Sequence, residues 1–144
     1  MAWGGLLPAA ARKKGEQRIE PKTAVIESYG FGVEKIMLGD NHECILLERC
    51  VVRCWGDGEA GQLGYGNVTS MGSSEADIAN AKDVPIGGTV TQSTVRPRHT
   101  CALLDTGRVR CWGEGKSGQL GYLGVDKVGD DETPESKGDV PLPL

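Results

Sequence analysis

Short apolar, strand-forming runs alternate with polar, glycine-containing turns in the second half of the chain. Residues 100–104 and 108–112 are two such runs, and the three residues between them end in Gly107. A glycine there suits the left-handed position of a three-residue hairpin loop. The pattern therefore predicts a β-hairpin in which Cys101 lies opposite Cys111 on one face.

The hairpin pattern occurs twice. Residues 42–65 and 99–122 align without a gap, and 15 of the 24 aligned residues are identical. After one gap the match continues to the Asp-Val-Pro sequence near the end of each copy. Such self-similarity indicates two copies of one structural unit. The first copy has Cys50 where the second has Gly107, which predicts a strained positive φ at Cys50 and a less regular first hairpin.

The shared pattern, H-x-C-x-L-L-x-x-G-x-V-x-C-W-G-x-G-x-x-G-Q-L-G-Y, resembles the cysteine-containing repeats of the regulator-of-chromosome-condensation (RCC1) family. The resemblance covers about residues 33–142. Repeats of that family build β-propellers. The resemblance therefore implies an all-β fold, a partial β-propeller of about two antiparallel RCC1-like blades. Residues 1–28 contain few strand signals, which predicts an extended or helical N-terminal arm. The chain is thus expected to consist of an arm at 1–28 and a repeat domain at 29–144, with repeat cores 42–86 and 99–142.

The repeat motif is expected to build the blades rather than to perform chemistry. Its glycines let the chain leave the tryptophan strand and bend back beside it. Each tryptophan is expected to wedge between neighbouring sheets, each glutamine to satisfy loop backbone groups, and each histidine to hold the end of its hairpin by hydrogen bonds. The motif residues are His42, Cys44, Cys54, Trp55, Gly56, Gly61, Gln62, Leu63, Gly64, His99, Cys101, Cys111, Trp112, Gly113, Gly118, Gln119, Leu120 and Gly121.

Both copies also contain the sequence G-x-G-x-x-G, the fingerprint of dinucleotide-binding loops. That function needs a helix that starts at the third glycine, because the amides of its first turn hold the pyrophosphate. In both copies Gln-Leu-Gly-Tyr follows, and its glycine disfavours a helix. No cofactor is predicted, and no repeated Ser/His/Asp or Cys/His arrangement indicates catalysis.

The cysteines leave three interpretations open. The pair Cys44 and Cys54 is equivalent to the pair Cys101 and Cys111, with Cys50 left over. The pairs are small buried thiols, which the sequence favours, or cross-strand disulfides, or parts of a His/Cys metal site. A disulfide between directly opposed strands is strained, and the close Cys-x-x-Cys spacing of structural zinc sites is absent, so no metal is predicted. No secretion signal is visible, which predicts an intracellular location by default and an extracellular one if the pairs are disulfides.

Charge and hydropathy narrow the class of partner. The formal net charge is −4, and no strongly basic face is evident, so nucleic acid is disfavoured as a ligand. No apolar run approaches the ~20 residues that a membrane-spanning helix needs. A protein partner remains the best expectation.

We interpret the chain as a non-enzymatic protein-interaction module that presents RCC1-like blades. The alternative is a structural subunit of a larger assembly, anchored by its N-terminal arm. Two blades have open flanks, which should leave Leu46, Leu103 and Trp55 partly unstacked. We therefore expect a protein partner, or self-association, that completes the open propeller.

Overall fold

The computed structural model describes residues 32–143. Within this range the chain forms two antiparallel sheets, one from each copy of the repeat. The expected all-β architecture is confirmed, since the helices among the described residues are short. The expected arm at 1–28 lies outside the described residues. No helix within residues 32–143 is both long and apolar enough to cross a membrane.

The first sheet contains three strands in spatial order, which are β1 (Val33–Leu38), β2 (His42–Leu47) and β3 (Val52–Gly56). An isolated bridge then pairs Gly56 with Met71. A helix follows, α1 (Glu75–Ala79), which begins after Ser74 because the Ser74 side chain accepts a hydrogen bond from the Asp77 amide. Ile78 of α1 packs into an apolar cluster on this blade.

The second sheet contains four strands in spatial order, which are β4 (Val90–Val95), β5 (His99–Leu104), β6 (Val109–Glu114) and β7 (Lys127–Val128). The helix α2 (Pro134–Lys137) follows and begins with a capping box formed by Thr133 and Ser136. The pairing of Gly113 with Val128 in β7 is equivalent to the Gly56–Met71 bridge of the first blade. Both copies of the repeat therefore fold in the same way.

The hairpin turns use the left-handed backbone conformation that the sequence predicts. Gly107 has φ +85° and Cys50 has φ +66°. The expected irregularity of the first hairpin is wrong. Leu47 N donates to Val51 O at 2.9 Å, just as Leu104 N donates to Arg108 O at 2.8 Å. The repeat geometry thus holds Cys50 in a conformation that a residue with a Cβ rarely adopts.

The predicted register of each hairpin is confirmed. Cys44 lies opposite Cys54 in β2 and β3, and Cys101 lies opposite Cys111 in β5 and β6. Because side chains alternate along a strand, each blade has two faces. The face of the first blade that carries His42, Cys44 and Leu46 packs against the face of the second blade that carries Thr100, Ala102 and Leu104. This joint buries His42, Cys44, Leu46, Thr100, Ala102, Leu104 and Trp112.

The expectation that both flanks expose apolar residues is wrong for two of three side chains. Leu46 is 2% exposed because it lies in the joint between the blades. Trp55, on the outer flank of the first blade, is also 2% exposed and packs in a cluster with Ile78 of α1. Leu103 is half-buried, as expected. Within residues 32–143, one blade flank is therefore open rather than two.

Candidate interaction face

The uncovered flank belongs to the second blade. We call it the open face, and it consists of His99, Cys101, Leu103, Val109 and Cys111. The first four side chains are half-buried and Cys111 is 5% exposed. Along β5 these residues alternate with buried ones, which point into the joint with the first blade. The open face is thus a half-buried apolar strip on an otherwise packed blade.

The residues of the first blade that are equivalent to the open face are covered by the second blade. His42, Cys44 and Leu46 are the repeat equivalents of His99, Cys101 and Leu103, and their exposures are only 1%, 0% and 2%. Cys44 and Leu46 pack into one core cluster with side chains of the second blade, including Trp112, which is fully buried. The same repeat position is therefore core in one blade and surface in the other.

A hydrogen-bond chain links the two blades across the joint. His42 Nε2 lies 3.0 Å from Thr100 Oγ1, which in turn lies 3.3 Å from the Gln62 carbonyl oxygen. The single hydroxyl proton of Thr100 goes to the carbonyl, so His42 Nε2 donates to Thr100. The sequence predicts that His42 holds its own hairpin. The structure instead places its side-chain bond on the neighbouring blade.

Burial favours the neutral form of both histidines. Burial in the joint lowers the pKa of His42 from 6.5 to about 4, although the Asp57 carboxylate opposes the shift. The pKa of His99 is also lowered, by burial and then by the positive charge of Arg96. Both imidazoles are thus uncharged at neutral pH.

The glycine-rich loop of the first copy is a contact between blades. Gly66 N donates to Gly129 O at 3.1 Å, and Gly129 approaches Gly61 so closely that a Cβ on it would lie 2.2 Å from the Gly61 carbonyl oxygen. Trp112 packs on Gly64, where a Cβ would lie 2.8 Å from the indole nitrogen. In the second copy nothing lies within 4 Å of a Cβ on Gly118. This second loop is therefore open on the same side as the open face.

The motif glutamines act within their own loops, as the sequence predicts. Gln62 Oε1 accepts a 2.8 Å hydrogen bond from Ala60 N, and Gln119 Oε1 accepts one of 2.8 Å from Ser117 N. Gly61 and Gly118 are followed by turns and not by helices. Neither loop therefore leads into the helix that a G-x-G-x-x-G dinucleotide site needs at its third glycine.

Both cysteine pairs are disulfides in the structure. Cys44 is bonded to Cys54 and Cys101 to Cys111, and Cys50 is a free cysteine. The interpretation that the sequence favours, reduced thiols, is therefore wrong. Each pair faces across its hairpin at a Cα–Cα distance of 4.1 Å, the spacing of directly opposed residues that share no backbone hydrogen bond. Within residues 32–143, no His, Cys, Asp and Glu side chains form a group of three that suits a metal ion.

In each repeat, an arginine of the hairpin binds an aspartate near the end of the repeat. Arg53 Nε donates to Asp83 at 2.8 Å, and Arg110 Nε donates to Asp139 at 3.0 Å. Burial by itself would raise the pKa of Asp83, but hydrogen bonds from Arg49 and Arg53 outweigh it and lower the pKa. These pairs were not predicted from the sequence. The signal was present, since Arg-Cys-Trp and Asp-Val-Pro recur in both copies.

A family model for the regulator of chromosome condensation (RCC1) repeat matches residues 97–119. The chain carries RCC1-type repeats. Among curated relatives, zebrafish E3 ubiquitin-protein ligase MYCBP2 is 37% identical over 87 residues, which is 60% of this chain and 2% of that protein. Human E3 ubiquitin-protein ligase HERC2 is 33% identical over 97 residues, 65% of this chain and 2% of that protein. The probable human E3 ligase HERC6 is 28% identical over 109 residues, 76% of this chain and 10% of that protein.

Solved structures place the two sheets in the RCC1 β-propeller fold. Yeast RCC1 (Prp20), solved with Kap60 bound, superposes with a TM-score of 0.60 at 20% identity over 79% of this chain and 24% of that chain. Human WBSCR16 gives a TM-score of 0.55 at 22% identity, over 70% of this chain and 25% of that chain. The expected partial β-propeller is therefore confirmed. The repeats span about a quarter of these structures and no more than a tenth of the three ligases above.

Proposed function

We propose that this RCC1-repeat chain is a non-enzymatic protein-interaction module whose open face docks a protein partner. The observation that carries the proposal is the difference between equivalent residues of the two blades. Leu46 is 2% exposed under the second blade, whereas its equivalent Leu103 is half-buried on the open face. A sheet flank with this apolar pattern is normally covered.

The joint inside the chain suggests the chemistry of that partner. The second blade covers the first with the small side chains of Thr100 and Ala102, which lie opposite His42 and the Cys44–Cys54 disulfide. The Trp112 indole packs on Gly64. A matching partner would offer a sheet with a small hydroxyl residue facing His99 and a tryptophan facing the Gly118 loop. We propose that this partner is another RCC1-type blade.

Self-association into a ring of identical chains is the weaker form of the proposal. A ring needs each copy to offer the tryptophan flank of its first blade to the open face of the next. That flank is already packed, because Ile45, Leu47 and Trp55 are at most 2% exposed. The blade that covers the open face is therefore proposed to come from a partner with a different exposed flank.

A role in binding rather than catalysis agrees with how the repeat residues are used. His42 and Thr100 bind each other, the two motif glutamines close their loops, and Arg110 binds Asp139. The ligase relatives match this chain over a small part of their length, so we propose only a binding role here. The net charge of −4 argues against a nucleic-acid partner.

A photo-cross-linking amino acid at position 103 tests the proposal. The matched control carries it at position 38, because Leu38 is 67% exposed and lies on β1 of the first blade, outside the open face. In cells that express the full chain, position 103 should yield a cross-link to a peptide from an RCC1-type tryptophan strand, and position 38 should not. Equal yields at both positions would refute docking. A cross-link between two copies through position 103 would refute the blade partner.

A further inference from the structure

The two disulfides are equivalent in sequence but lie in different environments. Cys44 and Cys54 are both 0% exposed, inside the core cluster that joins the blades. Cys101 belongs to the open face and is half-buried, with its partner Cys111 at 5% exposure. The second blade thus carries a disulfide at the surface of the fold.

Cys101 also lines a shallow hollow of about 220 Å³ beside β4, β5 and β6. Thr94, Leu103 and Val109 form part of its wall. A water molecule takes up ~30 Å³ in the liquid, so the hollow has room for the sulfur end of a small thiol. Lys35 lines the hollow as well, with its ammonium 2.8 Å from the Ser93 carbonyl oxygen. A positive charge there attracts the thiolate form of an incoming thiol.

We infer that the Cys101–Cys111 disulfide is a site of thiol–disulfide exchange with small thiols, and that the Cys44–Cys54 disulfide is shielded from the same reaction. Exchange begins when a thiolate attacks a sulfur atom that it can reach. The reagent's sulfur bonds to Cys101 Sγ, the disulfide breaks, and Cys111 Sγ leaves with the electron pair and takes up a proton. A second thiol of the reagent then displaces Cys101. The reagent is oxidised to its own disulfide and two protein thiols are formed.

The joint between the blades explains why the Cys44–Cys54 disulfide should resist thiol–disulfide exchange. A thiolate reaches Cys44 or Cys54 only when the second blade separates from the first, which breaks the contact between His42 and Thr100 and exposes Trp112. Such an opening is a rare local unfolding event. Exchange at Cys101 needs no such opening, because this residue is half-buried in the folded state.

Timed reduction of the folded chain by dithiothreitol tests the inference. Thiols released at each time are alkylated with one label, and the remaining cysteines are labelled with a second reagent after unfolding and full reduction. Mass spectrometry of peptides then reports each cysteine separately. The reaction is run on the wild type and on the Cys50→Ser variant, which removes the one cysteine left free by the two disulfides and so excludes exchange within the chain.

The expected result is that Cys101 and Cys111 are released at least about tenfold faster than Cys44 and Cys54. Low concentrations of urea should accelerate release of the buried pair only, because only that pair requires opening. Equal rates for the two pairs, or earlier release of Cys44 and Cys54, would overturn the inference. Isolation of the chain without reductant with Cys101 and Cys111 already reduced would overturn it as well.

Discussion

Acid should lower the stability of the folded protein through His42, whose uncharged side chain forms a hydrogen bond between the two blades. The folded state holds the pKa of His42 at about 4, against 6.5 for an unperturbed histidine. Between these two pH values the unfolded chain binds a proton that the folded chain does not. Stability is therefore complete above pH 6.5 and falls as the pH decreases toward 4.

The size of the effect follows from the two pKa values. They differ by roughly 2.5 units, and each unit corresponds to ~1.4 kcal/mol, so about 3 kcal/mol of unfolding free energy should be lost across the range. The groups that face the imidazole are the Asp57 carboxylate, which moderates the loss, and His99, which adds to it. A small domain has only about 5–15 kcal/mol of stability, so the loss is measurable.

Urea unfolding followed by tryptophan fluorescence, repeated from pH 7.5 to pH 4.5, measures this slope. The His42→Gln variant keeps an amide near Thr100 but does not titrate, so its stability should depend much less on pH. His99→Gln is the matched control, because His99 occupies the same repeat position on the open face and should leave most of the slope in place. Parallel pH curves for the wild type and His42→Gln would refute the reasoning.

Three further predictions concern the blades. Trp112→Ala should lower the unfolding free energy by about 3–5 kcal/mol, because the indole is fully buried in the joint, and an unchanged melting temperature would contradict this. After denaturation without reductant, a thiol reagent should label Cys50 and leave the other four cysteines unlabelled, and labelling of all five would contradict the disulfides. A double-mutant cycle with Arg110→Gln and Asp139→Asn should give a coupling free energy of about 0.5–1 kcal/mol, a small value because Asp139 is partly exposed to solvent. A coupling of zero would mean that this ion pair does not stabilise the fold.

Local sequence determined the hairpins of this protein. The position of Gly107 set the turn, and the turn set the register that brings Cys101 opposite Cys111. The repetition of the motif, with its regularly placed glycines, was sufficient to identify the RCC1-type blade. These features depend on residues near one another along the chain, so the sequence pattern reports them directly.

Only the tertiary structure decided which copy of each residue is core and which is surface. Leu46 and Leu103 occupy the same repeat position, and so do His42 and His99, yet only the first member of each pair is covered by a neighbouring blade. The bond from His42 to Thr100 spans 58 positions and exists only because the blades stack. A motif specifies the shape of one blade, but burial, pKa and access of reagents depend on what packs against it.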